Sequence, residues 1–479
     1  MRKGLIVVKA CKGTQQDVGS IPTASTNQTD RNTMVELCEF AAVKTKNAVV
    51  YHASNLDVLP LMADNSVDSI VCDPPYELGF MGKAWDSTGI AYSVELWREC
   101  LRVLKPGGHI LAFGGSRTWH RVAVAIEDAG FELRDSIAWL YGSGFPKSLD
   151  IAKAIQKASG VEPTGFKENE DGHFYGSGQY NATPRQLFMP ELEGEAKQWQ
   201  GWGTALKPAF EPIVVGRKPL IGTVAANVLV WGVGGLNIDA SRIGTEERIN
   251  QPAGNKVQDV GVYKFSVSES DAFNGAEASS VQGRWPANII LDDFTAGLLD
   301  EQSGETSSRS AIMGNGTRSE GWNLNTAEPT LRGHNDSGGA SRFFYVAKAS
   351  KTDRNEGLEE LPDVIAGHLA SETGGGGGWS NDSDKNPNLP RKNFHPTVKP
   401  TDLMRYLIKL VTPAGGVVLD PFTGSGSTGK AALLDGYRFI GIEMTADYLP
   451  IIEGRLLWAE AEAQRVAQAA AEEESIRLF

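Results

Sequence analysis

Short apolar runs recur along the chain at Ala48-His52, Ser69-Asp73, His109-Gly115, Ser136-Tyr141, Glu211-Gly216, Phe343-Ala347, Gly416-Asp420 and Phe439-Glu443. Several alternate with segments of helical spacing. Ala91-Leu104 sets Val94, Trp97, Leu101 and Leu104 on one face, and Trp119-Ala129 and Asp402-Val411 repeat that pattern. Strands separated by helices predict an α/β fold, a doubly wound and mostly parallel sheet.

The alternation breaks twice. From about Gly160 to Gly203 the chain is polar and Gly-rich, and from about Ile221 to Arg391 short apolar runs mix with turn-rich stretches such as Ser303-Gly339 and Gly374-Gly378. The longer break reads as an inserted region. From Tyr448 an Ala/Glu-rich helix is expected, with its final turns solvated and without a functional role. Residues 1–33 have neither an apolar h-region nor helical periodicity, and no fold is expected there. Gly19-Ser20-Ile21-Pro22 is what a transfer-RNA T-arm would encode if read in frame, which would make Met34 the true start; a disordered tail is the alternative. The chain thus divides into a disordered or non-native leader (1–33), a catalytic half (34–219) with a loop insertion at 160–203, an insertion (220–392), a second core half (393–456) and an acidic helical tail (457–479).

Composition narrows the partners. With 41% hydrophobic and 22% charged residues the chain can bury a sizeable core, and no apolar run approaches the roughly 20 residues of a membrane span. A net charge of -13 excludes a broadly basic nucleic-acid coat. Any enzyme of DNA with this balance must gather its basic residues in one cleft. Cys11, Cys38, Cys72 and Cys100 form no CxxC pair, so neither a disulfide framework nor a Cys-rich zinc site is expected, and a cytoplasmic location is. The seven histidines form no ligand cluster with the cysteines, and no metal is expected.

Two loops carry candidate chemistry. Asp73-Pro74-Pro75-Tyr76 follows the first strongly apolar strand, where open α/β sheets bind ligands. An exocyclic base amine is a poor nucleophile because its lone pair is delocalised into the ring. Acceptors for its two hydrogens localise that pair, and Asp73 with the Pro74 carbonyl can supply them. The prolines fix φ and remove competing N–H donors. Tyr76 offers a flat face for an extruded base, worth about 1–3 kcal/mol against the few kcal/mol that flipping costs. A plain Pro-Pro turn with a capping aspartate is the alternative for the tetrapeptide alone.

The second loop, Asp420-Pro421-Phe422-Thr423-Gly424-Ser425-Gly426-Ser427-Thr428-Gly429, lies between a strand and the helix from Lys430. Gly424, Gly426 and Gly429 match a dinucleotide fingerprint, with Glu443 ending the next strand. Gly424-Lys430 nearly matches a phosphate-binding loop, but Ala431 stands where the magnesium-binding hydroxyl belongs, which disfavours nucleotide hydrolysis. S-adenosylmethionine is the remaining reading, with Glu443 on the ribose hydroxyls. The glycine loop alone leaves the dinucleotide and the methyl donor open.

Together the two loops resemble the DNA amino-methyltransferases, and their order, catalytic box first and cofactor loop last, is that of the β class. His395-Pro396-Thr397-Val398-Lys399-Pro400, Leu101-Gly115 and Lys207-Pro219 add to the resemblance, and "GFPKSLDIAKAI", "GRWPANIILDD" and "RFFYVAKASK" give it a phage or prophage flavour. The resemblance covers roughly Met34 to Leu456 and implies a Rossmann-like methyltransferase fold of permuted motif order with S-adenosyl-L-methionine as cofactor. It implies that Asp73, Pro74, Pro75 and Tyr76 hold the base. Asp420, Pro421, Phe422, Gly424, Gly426 and Glu443 would line the cofactor pocket, with Thr397 and Lys399 closing its other side. A solvated lysine at a helix start is the equal alternative for Lys399, and a strand-end polar group is the favoured one for His395. Glu77-Asp86 reads as a lid hinged at Gly79 and Gly82, unless Phe80 and Trp85 are core anchors. Where the family commonly carries Gly-Asp, this chain has Ala53-Ser54, so that Ser54 makes a weaker contact or Asp57 substitutes.

The implied activity is methylation of adenine N6 in double-stranded DNA by base flipping, by a monomer or homodimer within a restriction-modification setting. N4-cytosine methylation is the nearest rival, and a catalytically silent DNA-binding decoy the rival of another class. Target recognition is expected between about Leu220 and Lys392. There Arg242, Arg284, Arg318, Arg332, Arg342 and Lys348 are available for phosphates or base edges and Trp285 and Trp322 as wedges, most of them expected to be solvated or structural.

Overall fold

The computed structural model describes residues 36–78, 84–142, 144, 148–161, 165–167, 186–188, 190–250, 279–308, 311–313, 330–332, 336–348, 352–365 and 390–477. The leader, the hinge glycines Gly79 and Gly82, Phe80, Arg318 and Trp322, and the side chains of Trp85 and Arg332, lie outside it.

A ten-stranded sheet organises the chain. Its strands are β1 (Ala41–Lys44), β2 (Ala48–His52), β3 (Val67–Cys72), β4 (Leu104–Phe113), β5 (Glu132–Leu140), β6 (Phe210–Arg217), β7 (Ile289–Asp292), β8 (Tyr345–Ala347), β9 (Val417–Asp420) and β10 (Arg438–Glu443). Their order across the sheet is β1-β2-β10-β9-β3-β4-β6-β5-β7-β8. β1 is antiparallel to β2, and β6 is antiparallel to both neighbours; all other pairs are parallel. The mostly parallel, doubly wound α/β expectation holds.

Alternation along the central strands explains the two layers. Val50, Val71, Leu111, Phe113, Ile213, Val418 and Phe439 pack on α3 (Thr401–Val411), α4 (Ser427–Leu434) and the start of α5 (Leu449–Arg477). Val49, Tyr51, Ile70, Cys72, Ile110 and Ala112 face the other way, onto α1 (Val94–Val103) and α2 (Trp119–Asp128). Both faces of β3 are buried along its whole length, as a central parallel strand requires. α1 begins later than the apolar spacing predicts because Ser93 caps it, accepting from Leu96 N, while Ile90–Tyr92 forms a separate turn. α5 is exposed from Gln464 to Ser475.

The stretch 220–392 contributes β7 and β8 to the central sheet, and a helix, Val224–Trp231, whose Asn227 side chain donates to the carbonyls of Pro106 and Val233. Gly142–Ala209 forms a compact unit of its own. In it Asp150 caps the helix Ile151–Ala158 and Thr204 Oγ1 accepts from Leu149 N.

Cys72 and Cys100 are free and buried. Cys38 is disulfide-bonded, which the spacing of the cysteines does not announce. Among the described residues no helix is long and apolar enough to cross a membrane, and no group of three or more His, Cys, Asp or Glu side chains could hold a metal ion.

Candidate active site

β3 and β9 are parallel neighbours, with Leu419 opposite Ile70, so the loops that leave their carboxyl ends emerge side by side. β10 pairs with β9 and brings Glu443 to the same edge; β4 pairs with β3 and brings Phe113-Gly115 to its other side. One sheet edge therefore gathers the Asp73-Pro74-Pro75-Tyr76 box, the Asp420-Gly429 loop and Glu443.

At the box, Lys399 Nζ lies 2.5 Å from Asp73 Oδ2, 3.3 Å from Tyr76 Oη and 3.3 Å from Glu211 Oε2. It also sits 4.8 Å from the centre of the Phe113 ring. Lys399 is 7% exposed. Burial pulls its pKa down, but the Asp73 and Glu211 carboxylates outweigh that and hold it above the ordinary lysine value. Tyr76 Oη donates to Glu211 Oε2 at 2.8 Å, and burial, reinforced by Asp73 and Glu211, pushes the phenol well above its usual value. Asp73 Oδ1 is buried and has no hydrogen-bond partner among the described residues. A carboxylate oxygen held dry without a donor is costly, and a ligand hydrogen would relieve it.

The backbone behind Tyr76 is tied on both sides. Thr118 Oγ1 donates to Tyr76 O at 2.9 Å. A side chain at Gly115 would come within 3.1 Å of the Tyr76 ring, so glycine permits the approach. Glu77 adopts φ +55, in the left-handed region. That conformation is fixed by Asp86, whose carboxylate accepts from Glu77 N and Leu78 N at 2.9 and 3.2 Å.

The glycine loop is built from beneath. Asp420 accepts from Thr428 Oγ1 at 2.6 Å and Phe422 N at 2.9 Å. Burial lifts its carboxyl to about 7 despite those two donors. Gly424 has φ +54 and Gly426 φ +77, while a Cβ at Gly429 would stand 2.6 Å from both Phe439 and Leu456. Gly424 N donates to Glu443 Oε2 at 2.7 Å and Thr445 N to Glu443 Oε1 at 2.8 Å, leaving each oxygen a further lone pair. Burial raises this carboxyl too. Pro421 is buried, and the Phe422 ring lies 6.2 Å from that of Trp97.

These contacts bear on several sequence expectations. Lys399, which the resemblance places at the cofactor wall, contacts the catalytic box: Thr401 at the start of α3 is anchored by Asp353, and the lysine before it is drawn to the Asp73 and Glu211 carboxylates. His395 is buried, with Nδ1 2.7 Å from Thr397 O, its pKa lowered by burial to about 3, and its ring in the space a Gly424 side chain would need. Thr397 itself is exposed. Lys430, the lysine of the near-match to a phosphate loop, is fully buried and bound to Asp353 at 2.5 Å and Glu356 at 2.7 Å, so it faces away from any phosphate. Ser54 caps a short helix, accepting from Leu56 N, and Asp57 is exposed.

Glu211 and Thr428 were not singled out by the sequence. Glu211 gives a faint signal, as the one acid at the start of an otherwise apolar strand.

The two stretches that build this edge, residues 67–178 and 344–454, match the family model described as DNA methylase, of the N6/N4 methyltransferases. These two stretches are similar to the catalytic region of the DNA amino-methyltransferases. Among similar proteins, the type II methyltransferase M.ScaI of Streptomyces caespitosus is 47% identical over 73 residues, 15% of this chain and 23% of that protein. The DNA adenine methyltransferase YhdJ of Escherichia coli (strain K12) is 46% identical over 55 residues, 12% of this chain and 19% of its own. The type II methyltransferase M2.LlaDCHI of Lactococcus lactis subsp. cremoris is 44% identical over 116 residues, 24% of this chain and 37% of its own. The matched segments thus span well under half the length of these relatives. Among solved structures, PvuII DNA methyltransferase (cytosine-N4-specific) aligns over 88% of this chain and 93% of its own, with 13% identity and a TM-score of 0.38.

Proposed function

We propose that the chain is a site-specific DNA methyltransferase that transfers a methyl group from S-adenosyl-L-methionine to N6 of an adenine flipped out of double-stranded DNA. The observation that carries this reading is the divided Asp73 carboxylate: one oxygen is held by Lys399, and the other is buried beside Tyr76 without a hydrogen-bond partner among the described residues. The DNA methylase family match and the relative named as a DNA adenine methyltransferase support the reaction class. An aspartate at the first box position favours adenine, since serine is the more frequent residue there in the family's cytosine enzymes.

The residues fit the methyl donor. Glu443 keeps free lone pairs for two ribose hydroxyls, and the left-handed Gly424 and Gly426 let backbone approach a ligand closely. When bound, the cofactor supplies an electrophilic methyl carbon on a sulfonium. Tyr76 stacks on the extruded base. Asp73 Oδ1 and the Pro74 carbonyl accept the two amine hydrogens, which localises the nitrogen lone pair. Asp73 Oδ1 would then take the proton that the amine gives up on methylation. Lys399 and Glu211 hold Asp73 and Tyr76 in place; they are positioning residues. Sequence choice falls to the stretch 220–392, and the enzyme acts in the cytoplasm as a monomer or homodimer.

Incubation with duplex DNA and labelled methyl donor, followed by nucleoside digestion and mass spectrometry, tests the proposal. N6-methyladenine is expected. N4-methylcytosine alone would overturn the base assignment, and no modified base would overturn the reaction.

A further inference from the structure

We propose that Arg117, His120 and Arg121 form the grip on the DNA backbone beside the flipped nucleotide; this rests on the methyltransferase reading above. A chain of net charge -13 repels phosphates except where unpaired cations are gathered. The described arginines Arg242, Arg284 and Arg342 of the insertion do not provide such a place. Arg242 is paired with Asp239 at 2.8 Å, and Arg284 is buried against Asp336 and Glu246. Arg342 donates to the carbonyls of Gly338 and Gly339. Elsewhere Arg102, Arg217 and Arg405 are each bound to carboxylates.

The turn after β4 is different. Arg117, His120 and Arg121 are all exposed. None of the three has a carboxylate partner among the described residues; the Arg121 guanidinium instead lies 4.7 Å from the centre of the Tyr92 ring, which props it while leaving its donors free. Their backbone is rigid, with Thr118 N and Trp119 N both donating to Gly115 O at 2.9 and 2.8 Å. It is also fastened to the base pocket, because Thr118, between the first arginine and the helix, donates to the carbonyl of Tyr76. The Arg117 and Arg121 guanidiniums are thus coupled through one side chain to the residue that would stack on the extruded base. A phosphate next to that base is the ligand this arrangement fits: guanidinium forks pair with phosphate oxygens in parallel. Such contacts fix register without reading sequence.

The test measures binding of a fluorescent duplex containing the target site across a salt series, and steady-state methylation, for wild type, the double variant Arg117→Gln/Arg121→Gln, and Arg134→Gln as a control. Arg134 is exposed near the start of β5, at the opposite end of the strands from the site. Each phosphate contact contributes roughly 0.9 to the slope of log affinity against log salt, so the double variant should lose about 2 from that slope and bind DNA roughly tenfold more weakly at moderate salt. KM for DNA should rise in parallel, while kcat at saturating DNA and affinity for the methyl donor stay within about twofold of wild type. The control should behave as wild type. An unchanged slope and KM in the double variant, with wild type active, would overturn this grip alone. Wild type that neither binds nor methylates DNA would overturn the methyltransferase reading and this inference with it.

Discussion

Replacing Lys399 with methionine keeps an unbranched side chain, one atom shorter, and removes its charge. The ammonium stands 2.5 Å from Asp73 Oδ2 and 3.3 Å from Glu211 Oε2. At an effective dielectric of about 20, those separations correspond to gross attractions of about 7 and 5 kcal/mol, most of which offsets the burial of the charges. Breaking a buried pair by removing one partner typically costs about 3–5 kcal/mol. That range is the expected loss of stability in denaturant unfolding of Lys399→Met. The two carboxylates left behind share one dry site without a compensating cation, which favours a proton shared between them. If Asp73 must accept a hydrogen from the amine, that proton blocks it, and kcat falls by about 100-fold or more. Because the lesion is a proton, kcat of the variant should rise with pH across the range where wild type is flat. Removing the second charge, in Lys399→Met/Glu211→Gln, should restore part of both stability and rate, giving a coupling energy above about 1 kcal/mol in the double-mutant cycle. Lys399→Met with wild-type stability and a pH-independent kcat would refute the reasoning.

Other consequences are as specific. Glu443→Gln keeps the shape of the side chain but weakens charge-assisted acceptance, so calorimetry should find affinity for S-adenosylmethionine reduced about 10–100-fold, with affinity for DNA unaffected. His109 is buried, and burial together with Arg217 and Arg134 lowers its pKa from 6.5 to about 4. The unfolded chain therefore binds a proton that the folded chain refuses. The stability this contributes is present above pH 6.5 and is lost as pH falls toward 4, on the order of 3 kcal/mol in all. Unfolding of His109→Leu across that window should show a correspondingly shallower pH dependence; an unchanged slope would count against it.

What could be read from the sequence followed local pattern. The strand before the catalytic box and the one before the glycine loop were legible because both are buried on both faces and carry the apolar runs Ile70-Val71-Cys72 and Val417-Val418-Leu419. Their adjacency followed from the α/β alternation and from the family resemblance. β1 and β7 were not found: Ala41–Lys44 alternates over four residues only, and Ile289–Asp292 is a brief run among turn-formers. The direction of Lys399 was not legible either, since nothing local distinguishes a lysine aimed at the cofactor from one aimed at Asp73, 326 residues earlier. Glu211 is recognisable only once β6 is inserted antiparallel between β4 and β5, which carries the first residues of β6 to the catalytic edge. The arginines of the insertion looked available in sequence, and only their ion pairs in space withdraw Arg242 and Arg284 from that role.

The central claim, that the free oxygen of Asp73 receives the target amine, is tested most directly by Asp73→Ala in parallel with wild type. Methyl transfer from labelled S-adenosylmethionine to duplex DNA and binding of the donor by calorimetry would be measured on both proteins. The expected result is active wild type and a variant that binds the donor within a few-fold of wild type yet loses at least about 100-fold in transfer rate. Transfer by Asp73→Ala at a rate near that of wild type would contradict the claim.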